Sequence, residues 1–331
     1  MISQTGHSYM PIYLHTLKVD TIRSFDVFIT NKKDNIVLFN TSGDRFTVKV
    51  RDKLIENNIT ILYIHKKDKE VYQKYIDDYL PDLLNDPNIP SSQKAEISYI
   101  SISNTAKSLF DNPQAQTISH FKKSISSTVD LVLHDKDAIG NLIRLTSYDF
   151  STSKHSINVG IFALGLAKEL FADDKNHNMY EIASGFFLHD IGKCKIPLSI
   201  LQKPGPLSDI EWKIIKNHPQ EGYELLKKFN KLTMETKVIV LQHHERYDGN
   251  GYPKGLKGDK IHLYSKICCI ADVFDALTSK RTYKKALSSF KALKIMKEEM
   301  QNEFDPLFFK KFVILFSQKD ITPKQEELKI Y

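Results

Sequence analysis

Short apolar runs bounded by turn residues open the chain. IYLHTL, SFDVFIT, NIVLFN and ITILYIH read as strands, with NKKDN as the turn between the second and third. Between NIVLFN and ITILYIH, TVKVRDKLIENN places Val48, Leu54 and Ile55 at helical spacing, and KDKEVYQKYIDDYLPDLL predicts a second helix to about Leu84. Asn85, Asp86, Pro87, Asn88, Pro90, Ser91 and Ser92 then form a turn-rich break. From 93 onward the period is helical. SQKAEISYISISNTAKSLF and AQTISHFKKSISSTVDLVLHD are amphipathic, and further helices are predicted over 155–172, 178–191, 208–228, 232–247, 262–280, 286–301 and 305–317. Ser208 and Glu211 form the S-x-x-E pair that satisfies free N–H groups at a helix start. The expected class is α+β: an N-terminal α/β domain over 1–90, a helical connector over 91–127 and an all-α bundle over 128–331.

Composition narrows the function classes. Of 331 residues 41% are hydrophobic and 26% charged, as in ordinary globular chains. No apolar run reaches the ~18 residues of a membrane helix, so no membrane role is expected. The opening MISQTGHSYM lacks a basic-then-apolar signal pattern, and Cys194, Cys268 and Cys269 form no CxxC pair, so a reducing cytoplasm is expected. The net charge of +7 is scattered without a run of five basic residues, which speaks against a nucleic-acid polymer as partner. The first 90 residues hold neither a Gly-rich phosphate loop nor the residue set of a phosphorylation receiver. A regulatory role is expected there, through a homodimer contact or a signalling protein.

Seven of the twelve histidines fall between 155 and 262. His155, His189–Asp190, His218, His243–His244 and Asp272 follow one another at gaps of 34, 29, 25 and 29 residues. Helices of 14–20 residues are ~20–30 Å long, so such gaps return the chain to one level of a bundle, and one ligand per helix can converge. Imidazole and carboxylate without thiolate suit Fe, Mn or Zn. His189 can bind one ion while Asp190, with two oxygens, bridges it to a second. For His244 the spacing leaves both direct ligation and a supporting hydrogen bond open.

FLHDIGK, NHPQEGYELL, LQHHERYDGNGYPKGL and ADVFDALTSKRTYKKA together resemble the HD-GYP subgroup of the HD-domain phosphohydrolases, over roughly 128–320. The resemblance implies an HD-type helical bundle that hydrolyses cyclic di-GMP to linear pGpG, in some members on to GMP, by a metal-bridged hydroxide at a binuclear site. It implies His155, His189, Asp190, His218, His243, His244 and Asp272 as ligands of two divalent ions, Fe or Mn. Asp190 and Lys193 carry catalysis in this scheme, and Lys193, Tyr252, Arg281 and Lys284 contact substrate. Gly249, Gly251 and Gly255 let the GYP loop turn tightly. Members with a third metal carry Glu where this chain has Ser151, too short and weak a ligand to replace it, so two ions are expected. His262, where the family pattern tends to have Pro, is expected as a loop or helix-cap residue. The alternative reading is a catalytically weak member that acts as a cyclic di-GMP-responsive binding module.

Overall fold

The computed structural model describes residues 8–31, 35–146, 151–172, 174–280 and 286–317. The chain divides into two compact units, one up to Ser101 and one from Ile102, and the division falls within a single helix.

In the first unit the strands are β1 (Tyr9–Tyr13), β2 (Thr21–Ile22), β3 (Val27–Thr30), β4 (Ile36–Asn40), β5 (Arg45–Phe46) and β6 (Ile61–His65). The helices are α1 (Val48–Glu56), α2 (Lys69–Asn85) and the start of α3 (Ser91–Asp111). One antiparallel sheet has the order β1-β6-β3-β4, and β2 pairs with β5 in a separate ladder. Its register sets Met10 opposite Ile64 and Ile12 opposite Leu62, all four buried, so the period-2 alternation of these strands gives one apolar face. From α2 the Tyr72 hydroxyl lies 2.6 Å from Thr16 Oγ1 and the Tyr75 hydroxyl 2.7 Å from Thr21 Oγ1. Arg23 is 1% exposed, and its three guanidinium nitrogens have no hydrogen-bond partner. It lies over the rings of Phe46, at 5.1 Å, and Phe25, at 5.9 Å.

The second unit is helical. It contains α4 (Ala115–His134), α5 (Ala138–Leu145), α6 (Thr152–Phe171), α7 (Met179–Leu188), α8 (Leu198–Leu201), α9 (Asp209–Lys216), α10 (His218–Lys228), α11 (Met234–Gln242), α12 (Leu263–Thr278), α13 (Ser289–Glu298) and α14 (Pro306–Ser317). Every residue of α6 from His155 to Ala167 is buried, which makes this the central helix. It packs on α7, α12 and α14, and Phe162, Phe274, Phe312 and Phe316 interlock with ring centroids 4.6–5.7 Å apart.

Two differences from the periodicity reading have local causes. The segment 208–228 is two helices, because Pro219 has no N–H to bond the carbonyl four residues back. The segment 178–191 stops at Leu188 and tightens into a 3₁₀ turn at Ile191–Lys195. The S-x-x-E box forms as expected, with Ser208 Oγ accepting from Glu211 N and the Glu211 carboxylate from Ser208 N.

Candidate metal centre

Three of the candidate histidines share one local device. His189 follows α7 directly, His218 starts α10 after the break at Asn217, and His243 follows α11 directly. Helix ends leave carbonyls without intrahelical partners. In each case the Nδ1–H donates to the carbonyl three residues back: His189 to Phe186 at 2.8 Å, His218 to Ile215 at 2.7 Å, His243 to Val240 at 3.0 Å. Ile215 is the residue that Pro219 leaves without a helical donor. A carbonyl only accepts, so the proton of each neutral ring sits on Nδ1 and the lone pair on Nε2 points away from the helix.

Those lone pairs converge. His218 Nε2 and His243 Nε2 face each other at 3.1 Å. Asp190 lies between two imidazole pairs: Oδ1 is 3.2 Å from His218 Nε2 and 3.8 Å from His243 Nε2, while Oδ2 is 3.2 Å from His155 Nε2 and 3.5 Å from His189 Nε2. Asp272 Oδ1 is 3.1 Å from His155 Nε2, and Oδ2 is 3.4 Å from His244 Nδ1. All seven candidate ligands are therefore gathered in one place. Two groups among the described residues have donor atoms close enough for one ion each: His155, His189 and Asp190, and Asp190, His218, His243 and His244.

Electrostatics favour a cation here. His189 Nε2 and Asp190 Oδ1 are buried without a hydrogen-bond partner. Burial opposes the charge of Asp190, but Lys193 and the surrounding histidines outweigh it and hold the carboxyl well below the usual range. Asp272 is depressed in the same way, burial being overcome by His155 and His244. Burial keeps His189 and His243 neutral, and pushes His244 down to about 3. Two buried carboxylates, among imidazoles of which His189, His218 and His243 turn Nε2 inward, fit divalent ions, and the same carboxylates raise His155 in the absence of one.

Sequence reasoning missed the residues that hold this arrangement. Asp275 Oδ2 accepts from His155 Nδ1 at 2.6 Å, and its Oδ1 accepts from Asn158 Nδ2 at 2.8 Å. Ser279 Oγ donates to Asp275 at 3.1 Å. A second carboxylate three residues after Asp272 on the same helix was the available signal. Glu245, also missed, accepts from Lys254 N at 2.7 Å and Leu256 N at 2.8 Å, folding the GYP loop back. Tyr252 then stacks on His244, with centroids 4.6 Å apart.

Two glycines make this packing feasible. A Cβ on Gly251 would lie 2.3 Å from Arg246 N and 2.4 Å from His244 O. One on Gly192 would lie 1.9 Å from His218 O, so that glycine lets the turn after Asp190 touch the start of α10. Lys193 Nζ sits 2.5 Å from Asp190 Oδ2. Ser151 is the N-cap of α6 and accepts from Lys154 N. His262 is the N-cap of α12, its Nδ1 accepting from Tyr264 N. Burial raises the Cys194, Cys268 and Cys269 thiols, which keeps them protonated. Arg281 and Lys284 lie outside the described residues.

Converging helix ends that carry H…HD…D, with the HD pair at the end of one helix, define a class. The sequence profile of the HD domain family matches residues 141–307, and the chain belongs to that family. Its HD-x-GK, HHE and GYP motifs are those of the HD-GYP subgroup. A cyclic di-GMP phosphodiesterase of Pseudomonas aeruginosa is 36% identical over 200 residues, 60% of this chain and 48% of that protein. The cyclic di-GMP phosphodiesterase response regulator RpfG of Xanthomonas campestris pv. campestris is 36% identical over 59% of this chain and 52% of its own length. A 3′3′-cGAMP-specific phosphodiesterase of Vibrio cholerae is 39% identical over 49% of this chain and 31% of that protein. The chain thus spans about half or less of the length of these curated relatives. Bd1817, an HDG"Y"P protein from Bdellovibrio bacteriovorus, shares the fold, with a TM-score of 0.64 and 21% identity over 93% of this chain and 99% of that one.

Proposed function

We propose that the chain is a metal-dependent phosphodiesterase that hydrolyses cyclic di-GMP to linear pGpG. The observation that carries this reading is Asp190, whose two carboxylate oxygens each face a separate pair of imidazole nitrogens. His155, His189 and Asp272 would hold one divalent ion, His218 and His243 the other with His244 beside it, and Asp190 would bridge them. Bound there, Fe or Mn would supply the charge that stabilises attacking and leaving oxygens and that makes water acidic enough to attack phosphorus. Lys193 keeps an ammonium at the edge of the carboxylate, where it can neutralise a phosphate. The Tyr252 ring and hydroxyl wall the site, and Arg281 and Lys284 are the remaining phosphate contacts of the proposal.

Ser151 supports two ions over three, because its hydroxyl is engaged in capping α6. The named relatives act on cyclic di-GMP or 3′3′-cGAMP, which supports a cyclic dinucleotide as substrate class. Residues 1–90 are the proposed regulatory or partner-binding domain, joined by 91–127 to the catalytic bundle, in a cytoplasmic protein.

The test is chromatography of products from cyclic di-GMP with anaerobically purified chain reconstituted with Fe or Mn, alongside metal analysis. Linear pGpG and two ions per chain are expected, and any further GMP is read in the same traces. Tight binding without turnover would make the chain a receptor instead, and three ions per chain would refute the role given to Ser151.

A further inference from the structure

Beside the metal cluster, one face of α9 carries two side chains that the scheme above does not use. Lys216 ends the helix, two residues before His218, and is exposed. Its Nζ lies 5.6 Å from the centroid of the Tyr252 ring, and that ring is stacked on His244. Among the described residues no carboxylate lies within ion-pair distance of Lys216. Lys193 differs, since its ammonium pairs with Asp190 at the metal cluster itself, where the phosphate being cleaved would lie. One turn before Lys216, on the same face, is Trp212, the only tryptophan of the chain. It is 47% exposed, although an indole is among the side chains that gain most from burial.

A cyclic dinucleotide has two phosphodiesters and two bases, and only one phosphodiester can lie on the metal cluster at a time. The other half must rest on the surface just outside. An ammonium held over an aromatic ring, with no carboxylate beside it among the described residues, offers that half a charge, and an exposed indole offers its base a stacking surface.

We propose that Lys216 and Trp212 form the subsite for the half of a cyclic dinucleotide that is not being cleaved. Lys216 takes the second phosphate and Trp212 stacks on its base. The inference rests on the phosphodiesterase reading and extends it to a residue that sets preference for a cyclic dinucleotide over a simple phosphodiester.

Because Trp212 is the sole indole, its fluorescence reports on the subsite directly. Titration of the Mn-loaded full chain with cyclic di-GMP is expected to quench the emission. Lys216→Met should weaken binding about tenfold, the low end for a charge-assisted hydrogen bond at an exposed position, and Lys216→Arg should restore it to within about threefold. In steady state Lys216→Met should raise KM for cyclic di-GMP by a similar factor with kcat within twofold. KM for bis(p-nitrophenyl) phosphate, which has no second phosphate, should move by less than twofold. Since both positions are exposed, the variants retain the fold, which circular dichroism checks.

Several results overturn the subsite: no binding of cyclic di-GMP by the wild-type chain, equal binding by Lys216→Met, or an equal rise of KM for both substrates. Turnover of bis(p-nitrophenyl) phosphate by wild type tests the phosphodiesterase reading separately. If it persists without dinucleotide binding, the subsite falls and the metal chemistry stands. Dinucleotide binding lost in Lys216→Met, with no turnover of either substrate, leaves the subsite standing and removes the phosphodiesterase.

Discussion

Removing the Asp275 carboxylate tests whether the metal centre depends on a residue that would touch no metal. In the native chain it accepts from His155 Nδ1 at 2.6 Å, from Asn158 Nδ2 at 2.8 Å and from Ser279 Oγ at 3.1 Å, all buried. In Asp275→Ala the imidazole and amide donors lose this acceptor in a place water does not reach. Each buried hydrogen bond lost in this way costs about 1–3 kcal/mol, so destabilisation of about 2–6 kcal/mol is expected. His155 also loses what fixes its tautomer, so its Nε2 lone pair is no longer presented to an ion by default. Loss of the hydrogen bond that orients a ligating histidine lowers metal affinity by roughly 10–100-fold, or about 1.4–2.7 kcal/mol. The assay is Mn²⁺ competition against a fluorescent chelator, with urea unfolding of the metal-free protein run in parallel to separate affinity from stability. A folded Asp275→Ala chain that binds Mn²⁺ within twofold of wild type would refute the argument, because orientation of His155 would then be set elsewhere.

Three other perturbations probe different parts of the chain. Arg23→Met should raise the unfolding free energy of the N-terminal unit in urea by about 1–4 kcal/mol, because a desolvated guanidinium without hydrogen bonds is replaced by an apolar chain of similar length; a lowered value would show that the charge is compensated. Gly192→Ala sets a Cβ against His218 O, so overpacking of about 1–3 kcal/mol and loss of metal are expected together by calorimetry and metal analysis. The Glu211 carboxyl is held down to about 2, from 4.5, by Lys203 and by Ser208. Its folded pKa is depressed, so its contribution is complete above about 4.5 and fades as pH falls toward 2. Wild type should therefore lose stability relative to Glu211→Gln across that window in thermal melts, and parallel curves would overturn the assignment.

The long helices, the strands and the His and Asp residues that converge were legible in the sequence because their signals are local. Period 2 in IYLHTL and ITILYIH, and charged dyads at helix ends, can be read without knowing the fold. What escaped depends on distant partners or on short length. Asp275 acquires its role from His155, 120 positions earlier. The eight residues of α5 are too few for a period to emerge, with Gly140 weakening the helical propensity. The two-residue strands β2 and β5 exist only through each other. The break after Lys216 was readable from Pro219, but the 3.6-residue pattern runs through it and masked it. Nothing in the sequence around Arg23 marks it as buried; the packing of Phe25 and Phe46 around it does.

The carbonyl clamp on His189, His218 and His243 separates two tasks that metal centres usually combine. Each ring is aimed by the end of the helix that precedes it, through a hydrogen bond spanning three residues, so its direction is settled as soon as that helix terminates. What remains for the tertiary structure is to bring the helix ends to a common point. Ions placed there would act less as moulds for side chains than as a knot tying α7, α10 and α11 to α6 and α12. A displacement of any one of those helices by a fraction of an ångström would be felt at the knot at once, with no side chain free to absorb it. The same rigidity that aims the ligands would make the centre a gauge of how the bundle is being held.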